Sequence, residues 1–264
     1  MFRIASALFA VLCLVDLVLI LRQPSPWILV GIVIGWYVAD FGSGLVHMLL
    51  DYYPSPPQLE LDRLYFHPDR GSQAYRDLKA ELMSRTNAFH RLVFDFKRHH
   101  PWPDGLGRRS MEMLCVDTLY AAGLPGALGV AVLGLSTATP VGILAFLLTM
   151  SILATFAQYF HGMLHRAEPP KVVAFLQRLG VLMTPTMHQV HHDHLDRDFA
   201  IVSGAANPLL NPIFRALARA GICREENLEP PRTAATAGVP SPDPRPGLAR
   251  SVAGRDRSSQ LTLR

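Results

Sequence analysis

The sequence predicts an all-α fold: a four-transmembrane-helix bundle with a cytoplasmic helical cap that carries a histidine-rich dimetal site. Three observations predict it. Half of the 264 residues are hydrophobic and only 17% are charged, against about a quarter in a soluble domain. The apolar residues lie in four long runs, with the charges between and after them. Most of the 11 histidines fall in tight groups near the ends of those runs. This pattern excludes an ordinary soluble enzyme, and with only 21 acids the chain is not an acidic disordered protein.

Crossing a bilayer core takes roughly 20 apolar residues at about 1.5 Å each. The expected spans are about 4–21, 27–50, 113–135 and 141–160. The first contains Asp16, to which no role is given. It reads as a retained helix rather than a signal peptide, because it is long and Arg22-Gln23-Pro24-Ser25-Pro26 follows in place of a small-x-small cleavage site. The second carries Asp40 and His47 near its far end. The third has Asp117 near its start and Pro125 inside. Its small residues (Ala121, Ala122, Gly123, Gly126, Ala127, Gly129) allow either close helix packing or a lipid groove. The fourth continues into His161 and His165.

Four spans put both termini on one side. The short connections 22–26 and 136–140 carry one charge between them, Arg22, whereas the 51–112 connection carries Arg63, Arg70, Arg76, Lys79, Arg85, Arg91 and further basic residues. The positive-inside rule makes that second side cytoplasmic. Apolar spacing predicts one or two amphipathic helices over Gln73 to Phe96 and another over 171–183. From about Arg224 the composition turns to Pro, Arg, Ser, Thr and Ala, which predicts a disordered tail, 224–264, after a membrane domain, 1–223. The net charge of +4 is small and interleaved with acids, so no nucleic-acid partner is expected. Cys13, Cys115 and Cys223 are scattered and form no CxxC, which supports neither a disulfide framework nor a thiolate zinc site.

Four histidine groups stand near the cytoplasmic helix ends: His47, the pair His99 and His100, the pair His161 and His165, and His188, His191 and His192 in an HxxHH pattern. Helical residues three or four apart share a face, so each of the last two groups can aim its imidazoles at one point. The adjacent pair diverges, so it serves two neighbouring metals, or one metal with one ring behind it. Eight imidazoles exceed the four ligands of one zinc and suit two metals sharing a site. Nitrogen ligation without thiolate fits iron as well as zinc, copper or nickel. His67 and His90 read as surface or structural, and His194 as an extra ligand or a neighbour of the ligands. Asp40, Asp51 and Asp117 lie near the same helix ends, where acids are costly. Asp51 is the best candidate to orient a ligating imidazole, with a salt bridge to Arg109 as the alternative. Arg85, Arg98, Arg108 and Arg109 either meet lipid phosphate or face the anionic leaflet.

Asp40-Phe-Gly-Ser-Gly-Leu-Val-His47 with Asp51 resembles the DxxSGxxHxxxD opening of the Kua-type lipid desaturase family. Phe96-Lys-Arg-His99-His100 with Pro103 resembles its FxxHHxxP box, Gln158 with His161 and His165 its third, and His188 with His191 and His192 its fourth. Asp198 to Asn207 resembles the segment that follows. The match departs at Met48, where that family usually has Trp. The resemblance implies a membrane diiron enzyme that removes two hydrogens from an acyl or alkyl chain of a glycerolipid. It implies O2 as co-substrate and a separate electron donor, cytochrome b5-like or ferredoxin-like. The eight matching histidines carry over as ligands of two iron ions, no catalytic residue apart from the ligands is implied, and Asp51, His194 and Asn207 remain possible supporting or extra ligands. The same chemistry would serve a diiron lipid or sterol hydroxylase. The other readings are a zinc-dependent membrane hydrolase and a non-enzymatic metal carrier or lipid-binding protein.

Overall fold

A computed structural model describes residues 1–136 and 138–242; the remainder of the expected tail lies outside the described residues. Among the described residues the fold is all-α, with no strand. In chain order the helices are α1 (Phe2–Leu21), α2 (Trp27–Tyr52), α3 (Asp62–Tyr65), α4 (Gln73–Arg85), α5 (Ala88–His99) and α6 (Asp104–Gly107). They continue with α7 (Met111–Thr118), α8 (Leu124–Gly134), α9 (Val141–Leu164), α10 (Lys171–Arg178), α11 (Pro185–His194) and α12 (Asn207–Arg219). Four stretches are long and apolar enough to cross a membrane: Phe2–Leu21, Trp27–Tyr52, Met111–Gly134 and Val141–Leu164. These are the four expected spans, with ends displaced by about one turn at most. The largest displacement takes the fourth span past His161 to Leu164.

The chain divides into two compact units. Unit one comprises Met1–Met48, Asp104–His188 and Asp198–Ile213; unit two comprises Leu49–Pro103, Gln189–Arg197 and the chain from Phe214.

In unit one α1 packs on α8 and α9. Ile20, Val130, Val141, Leu144, Ala145 and Leu148 make one core cluster, and Ala5, Phe9, Leu119 and Ala127 make another. The opposite faces of these helices expose Leu14, Val18, Leu128 and Val132, as lipid-facing helices do. Lipid is as apolar as leucine, so association depends on close packing rather than on burial, and the glycines supply it. A Cβ on Gly31 would stand 2.1 Å from the Gly142 carbonyl oxygen, and one on Gly126 would stand 2.1 Å from Ser151 Oγ. The small residues of the third span therefore serve helix contact at Gly123 and Gly126, against Thr155 and Ser151 of α9, whereas Gly129 has nothing within 4 Å. Between α7 and α8 the helix widens into a π turn, Leu119–Gly123. Pro125 follows at the first turn of α8. Its missing N–H and bulky ring cannot be fitted into a regular α-ladder, and a π turn accommodates them.

In unit two Leu61, Leu64, Tyr65, Phe66, Tyr75, Leu82 and Phe94 form the core. The amphipathic stretch over 73–96 is two helices because each carries its own cap. Ser72 Oγ accepts the Tyr75 N–H at 3.1 Å, and Asn87 Oδ1 accepts the His90 N–H at 2.9 Å; caps of this type stabilise a helix start by about 1 kcal/mol.

Residues 224–242 correct the expectation of a disordered tail. Thr233 donates its backbone N–H and its hydroxyl to Asp62 Oδ2, both at 2.7 Å, and the Thr236 hydroxyl donates to the same oxygen. Val239 packs on the unit-two core, and the Arg232 guanidinium lies 3.8 Å from the Phe66 ring centre. The composition of this stretch is that of a loop, but Asp62 is buried and needs donors, which the two threonines provide. Thr236→Val is expected to cost about 2 kcal/mol by removing a hydroxyl bonded to a charged group. Limited proteolysis should then cut within 229–242 faster than in the unaltered chain.

Candidate metal centre

The site begins with a face of α2. Asp40, Ser43, Gly44 and His47 are spaced to share that face, and in unit one all four meet the segment 198–207. Asp40 is fully buried. Its Oδ1 accepts the N–H groups of Val202, Ser203 and Gly204 at 3.1, 2.7 and 3.2 Å, and its Oδ2 accepts the Ala206 N–H at 2.9 Å. Four donors offset the cost of a carboxylate in a spanning helix. Ser43 Oγ donates to the Asp40 carbonyl at 2.7 Å and accepts the Ile201 N–H at 3.3 Å. At position 44 only glycine fits, since a Cβ would stand 2.8 Å from the Ala200 nitrogen. The Asn207 side-chain carbonyl accepts the Ala200 N–H at 3.0 Å. Asp198, at φ 61°, is held by a reciprocal pair: its N–H donates to Asn211 Oδ1 at 2.9 Å and its Oδ1 accepts from Asn211 Nδ2 at 3.0 Å. Gathered this way, the loop presents the Phe199 carbonyl to His47 Nδ1 at 3.0 Å. A carbonyl can only accept, so Nδ1 carries the proton and Nε2 keeps its lone pair for a metal.

Unit one brings together His47, His161, His165 and His188. His188 Nε2 lies 3.1 Å from His161 Nε2 and 3.2 Å from His165 Nε2. The His47 ring centre is 4.9 Å from that of His161 and 6.0 Å from that of His188. Two imidazole nitrogens bound to one metal at about 2.1 Å, at angles between right and tetrahedral, stand about 3.0 to 3.4 Å apart. The His188–His161 and His188–His165 Nε2 pairs meet that spacing.

Unit two brings together His99, His100, His191 and His192. His191 Nδ1 donates to the Arg197 carbonyl at 2.8 Å, and His99 Nδ1 donates to the Phe96 carbonyl, so these rings also keep Nε2 for a metal. His191 Nε2 stands 3.4 Å from His100 Nε2. The His192 ring centre is 5.1 Å from His99 and 5.3 Å from His100. Asp51, fully buried, places Oδ2 3.4 Å from His191 Nε2 and 3.5 Å from His100 Nε2. It therefore faces the nitrogens that a metal would use, rather than the Nδ1 side where an orienting carboxylate would sit.

The HxxHH pattern on α11 thus supplies His188 to the unit-one cluster and His191 and His192 to the unit-two cluster. The described residues include histidine-rich groups whose ligand atoms lie within 4.8 Å of one another, close enough to hold a metal. His194 is exposed at the end of α11, and Asp117 is exposed on α7. His67 packs edge-on against Tyr75, and His90 Nδ1 lies 3.1 Å from its own capping residue, Asn87. Asp16 is fully buried in α1, and neither carboxylate oxygen has a hydrogen-bond partner among the described residues.

Lys97 is the residue that motif reading passes over. It is fully buried and its Nζ donates to the Asn227 carbonyl. Burial pushes its ammonium down to about 8, against the pull of the Asp51 carboxylate. The signal was its spacing: four residues after Val93 and three after Phe94, it falls on the buried face of α5.

The description "lipid desaturase domain" belongs to the family model that matches residues 83–220, a range that takes in every candidate histidine ligand except His47. Over 189 residues the chain is 29% identical to fatty acid desaturase 4, chloroplastic, of Arabidopsis thaliana, covering 69% of this chain and 48% of that protein. Over 167 residues it is 25% identical to the plasmanylethanolamine desaturase of Myxococcus xanthus, covering 63% and 50%. The chain therefore spans about half the length of the curated relatives it matches. No solved structure matches it.

Proposed function

The chain belongs to the lipid desaturase family, and we propose that it is a membrane oxidoreductase that introduces a double bond into an acyl or alkyl chain of a glycerolipid. Its co-substrate is O2, its electrons come from a separate cytochrome b5-like or ferredoxin-like donor, and its cofactor is two iron ions on the cytoplasmic side. The observation that carries the reading is the spacing of the imidazole nitrogens. His47, His99, His100, His161, His165, His188, His191 and His192 would hold the two irons, with Asp51 as a further oxygen ligand. Eight nitrogen donors without thiolate suit iron and exceed what one hydrolytic zinc uses. Iron, when bound, supplies the oxidising power that an unactivated C–H bond requires and no side chain has.

The chain's own residues do the rest. The carbonyls of Phe199, Phe96 and Arg197 fix the tautomers of His47, His99 and His191. The substrate chain has a slot in unit one. An apolar groove of about 490 Å³ runs between Ile32, Val33 and Trp36 of α2 and Thr149, Ile152 and Leu153 of α9, and is bounded by Gly180 and Val181. Trp36 shares its helix face with Asp40 and His47, and its Nε1 donates to the Val181 carbonyl at 2.9 Å. The groove is lined by apolar side chains and lies along the helices that carry His47 and His161, so a saturated chain held in it would be guided toward those ligands. Leu153→Trp should fill the slot and lower product formation roughly tenfold or more while bound iron is retained. Loss of iron in that variant would mean the groove supports the ligands rather than the substrate.

The deciding experiment is lipid mass spectrometry of cells with and without the chain, together with metal analysis of the purified protein. A new double bond in one glycerolipid class, with about two irons per chain, is the expected result. A hydroxylated chain in its place would identify a hydroxylase, and one zinc with an unchanged lipid profile would overturn the proposal.

A further inference from the structure

Unit two carries a cationic aromatic cluster that the metal ligands do not use. Arg70 precedes α4, Tyr75 lies on α4, Arg98 on α5 and Trp102 just beyond it. The Arg70 guanidinium lies 3.6 Å from the Trp102 ring centre and 5.8 Å from that of Tyr75. Stacking on an indole occupies the face of a guanidinium and leaves its N–H edge available. Arg70 Nε is buried and has no hydrogen-bond partner among the described residues, while the Tyr75 hydroxyl lies within reach of the Arg70 and Arg98 guanidiniums. Tyr75 is only 5% exposed. Buried polar groups are nearly always bonded, so a guanidinium nitrogen left over in a cationic cluster marks a place where something else binds.

Arg98 reaches the same phenol from α5. Burial pushes the Tyr75 phenol up, but the Arg70 and Arg98 guanidiniums beside it outweigh burial and hold it below its ordinary value. Among the described residues Asp95 Oδ1 accepts from Arg98 Nη2 at 3.0 Å. Two guanidiniums around one phenol, with Asp95 bonded to Arg98, leave positive charge and a spare guanidinium N–H in the cluster.

We propose that Arg70, Arg98 and the Tyr75 hydroxyl bind a phosphate group, that of a lipid headgroup or free phosphate. The planar N–H forks of two arginines match phosphate oxygens bidentately, and the phenol donates a third contact. A phosphate offers more oxygens, spread in three dimensions, to two forks and a phenol than the two coplanar oxygens of a carboxylate. The desaturase reading enters only as the reason to expect the lipid source.

The test is calorimetric titration of the full chain, purified in a neutral detergent, with dihexanoylphosphatidate, inorganic phosphate, dihexanoylglycerol and hexanoate. Saturable binding of the phosphatidate without binding of dihexanoylglycerol is expected. Tighter binding of the phosphatidate than of inorganic phosphate assigns the site to a headgroup, and equal binding assigns it to free phosphate; either supports the site. Arg70→Lys, which keeps the charge and loses the fork, should weaken binding about tenfold. Tyr75→Phe, which keeps the ring and so the fold, should weaken it several-fold. Failure of the unaltered chain to bind any phosphate, equal binding by both variants, or hexanoate binding as tightly as phosphatidate would overturn the proposal. Product formation measured on the same preparations separates the two readings. Desaturation without phosphate binding removes only this site, and phosphate binding without desaturation removes only the enzyme.

Discussion

His188→Ala is expected to lower the metal bound per chain and to lower product formation by at least about 100-fold. His188 Nε2 is the nitrogen that both His161 and His165 approach, at 3.1 and 3.2 Å. Removing it would leave a metal bound by these rings short of one ligand. Changes to groups that only support metal ligands already cost 10- to 100-fold in affinity or activity, so loss of a ligand should cost more. The ring is buried, but alanine is compatible with α11 and removes no hydrogen bond that holds the 198–207 loop, so the chain should still fold. His194→Ala, at an exposed position on the same helix, should retain iron and activity. Iron per chain by elemental analysis and product by mass spectrometry check both variants. A His188→Ala protein with full iron and full turnover would dismantle the ligand assignment.

Asp40→Asn is expected to destabilise the protein by about 3 kcal/mol or more. The substitution is nearly isosteric and opens no cavity, so its effect isolates the charge. Four backbone N–H groups converge on the carboxylate. An amide presents one acceptor and one donor, and the donor would face N–H groups that have nothing else to bond. The 198–207 loop would loosen, the Phe199 carbonyl would release His47 Nδ1, and the His47 tautomer would no longer be fixed. Thermal unfolding in detergent should therefore start lower, and the same preparation should hold less iron. Asp117→Asn, at an exposed position in the third span, should leave both measurements unchanged. Unaltered unfolding of Asp40→Asn would mean the loop is held by the flanking apolar contacts of Ala200, Ala206 and Leu210 rather than by the carboxylate.

The two residues were legible to different degrees. His188 announces itself, because imidazoles three and four residues apart on a helix have few reasons to recur except coordination. Asp40 was marked only as a costly acid near the end of a spanning helix. Asp51 was visible as a partner of the histidines, but its approach from the Nε2 side was not. Lys97 counted among the basic residues of a cytoplasmic connection, yet it is buried.

Hydrophobic length, helical spacing and side-chain type are properties of neighbouring residues. For that reason the sequence by itself determined the four spans, the all-α class and which imidazoles were candidate ligands. Tertiary structure alone decided which histidines share a cluster, that Asp40 anchors a loop more than 160 residues along the chain, and that His47 takes its tautomer from a carbonyl 152 residues away. It also decided that threonines of a loop-like segment pair with Asp62. The physical reason is that every residue carries the same N–H and C=O. Which of them is left over to bond a side chain depends on the path of the fold, and no local pattern of residues encodes it.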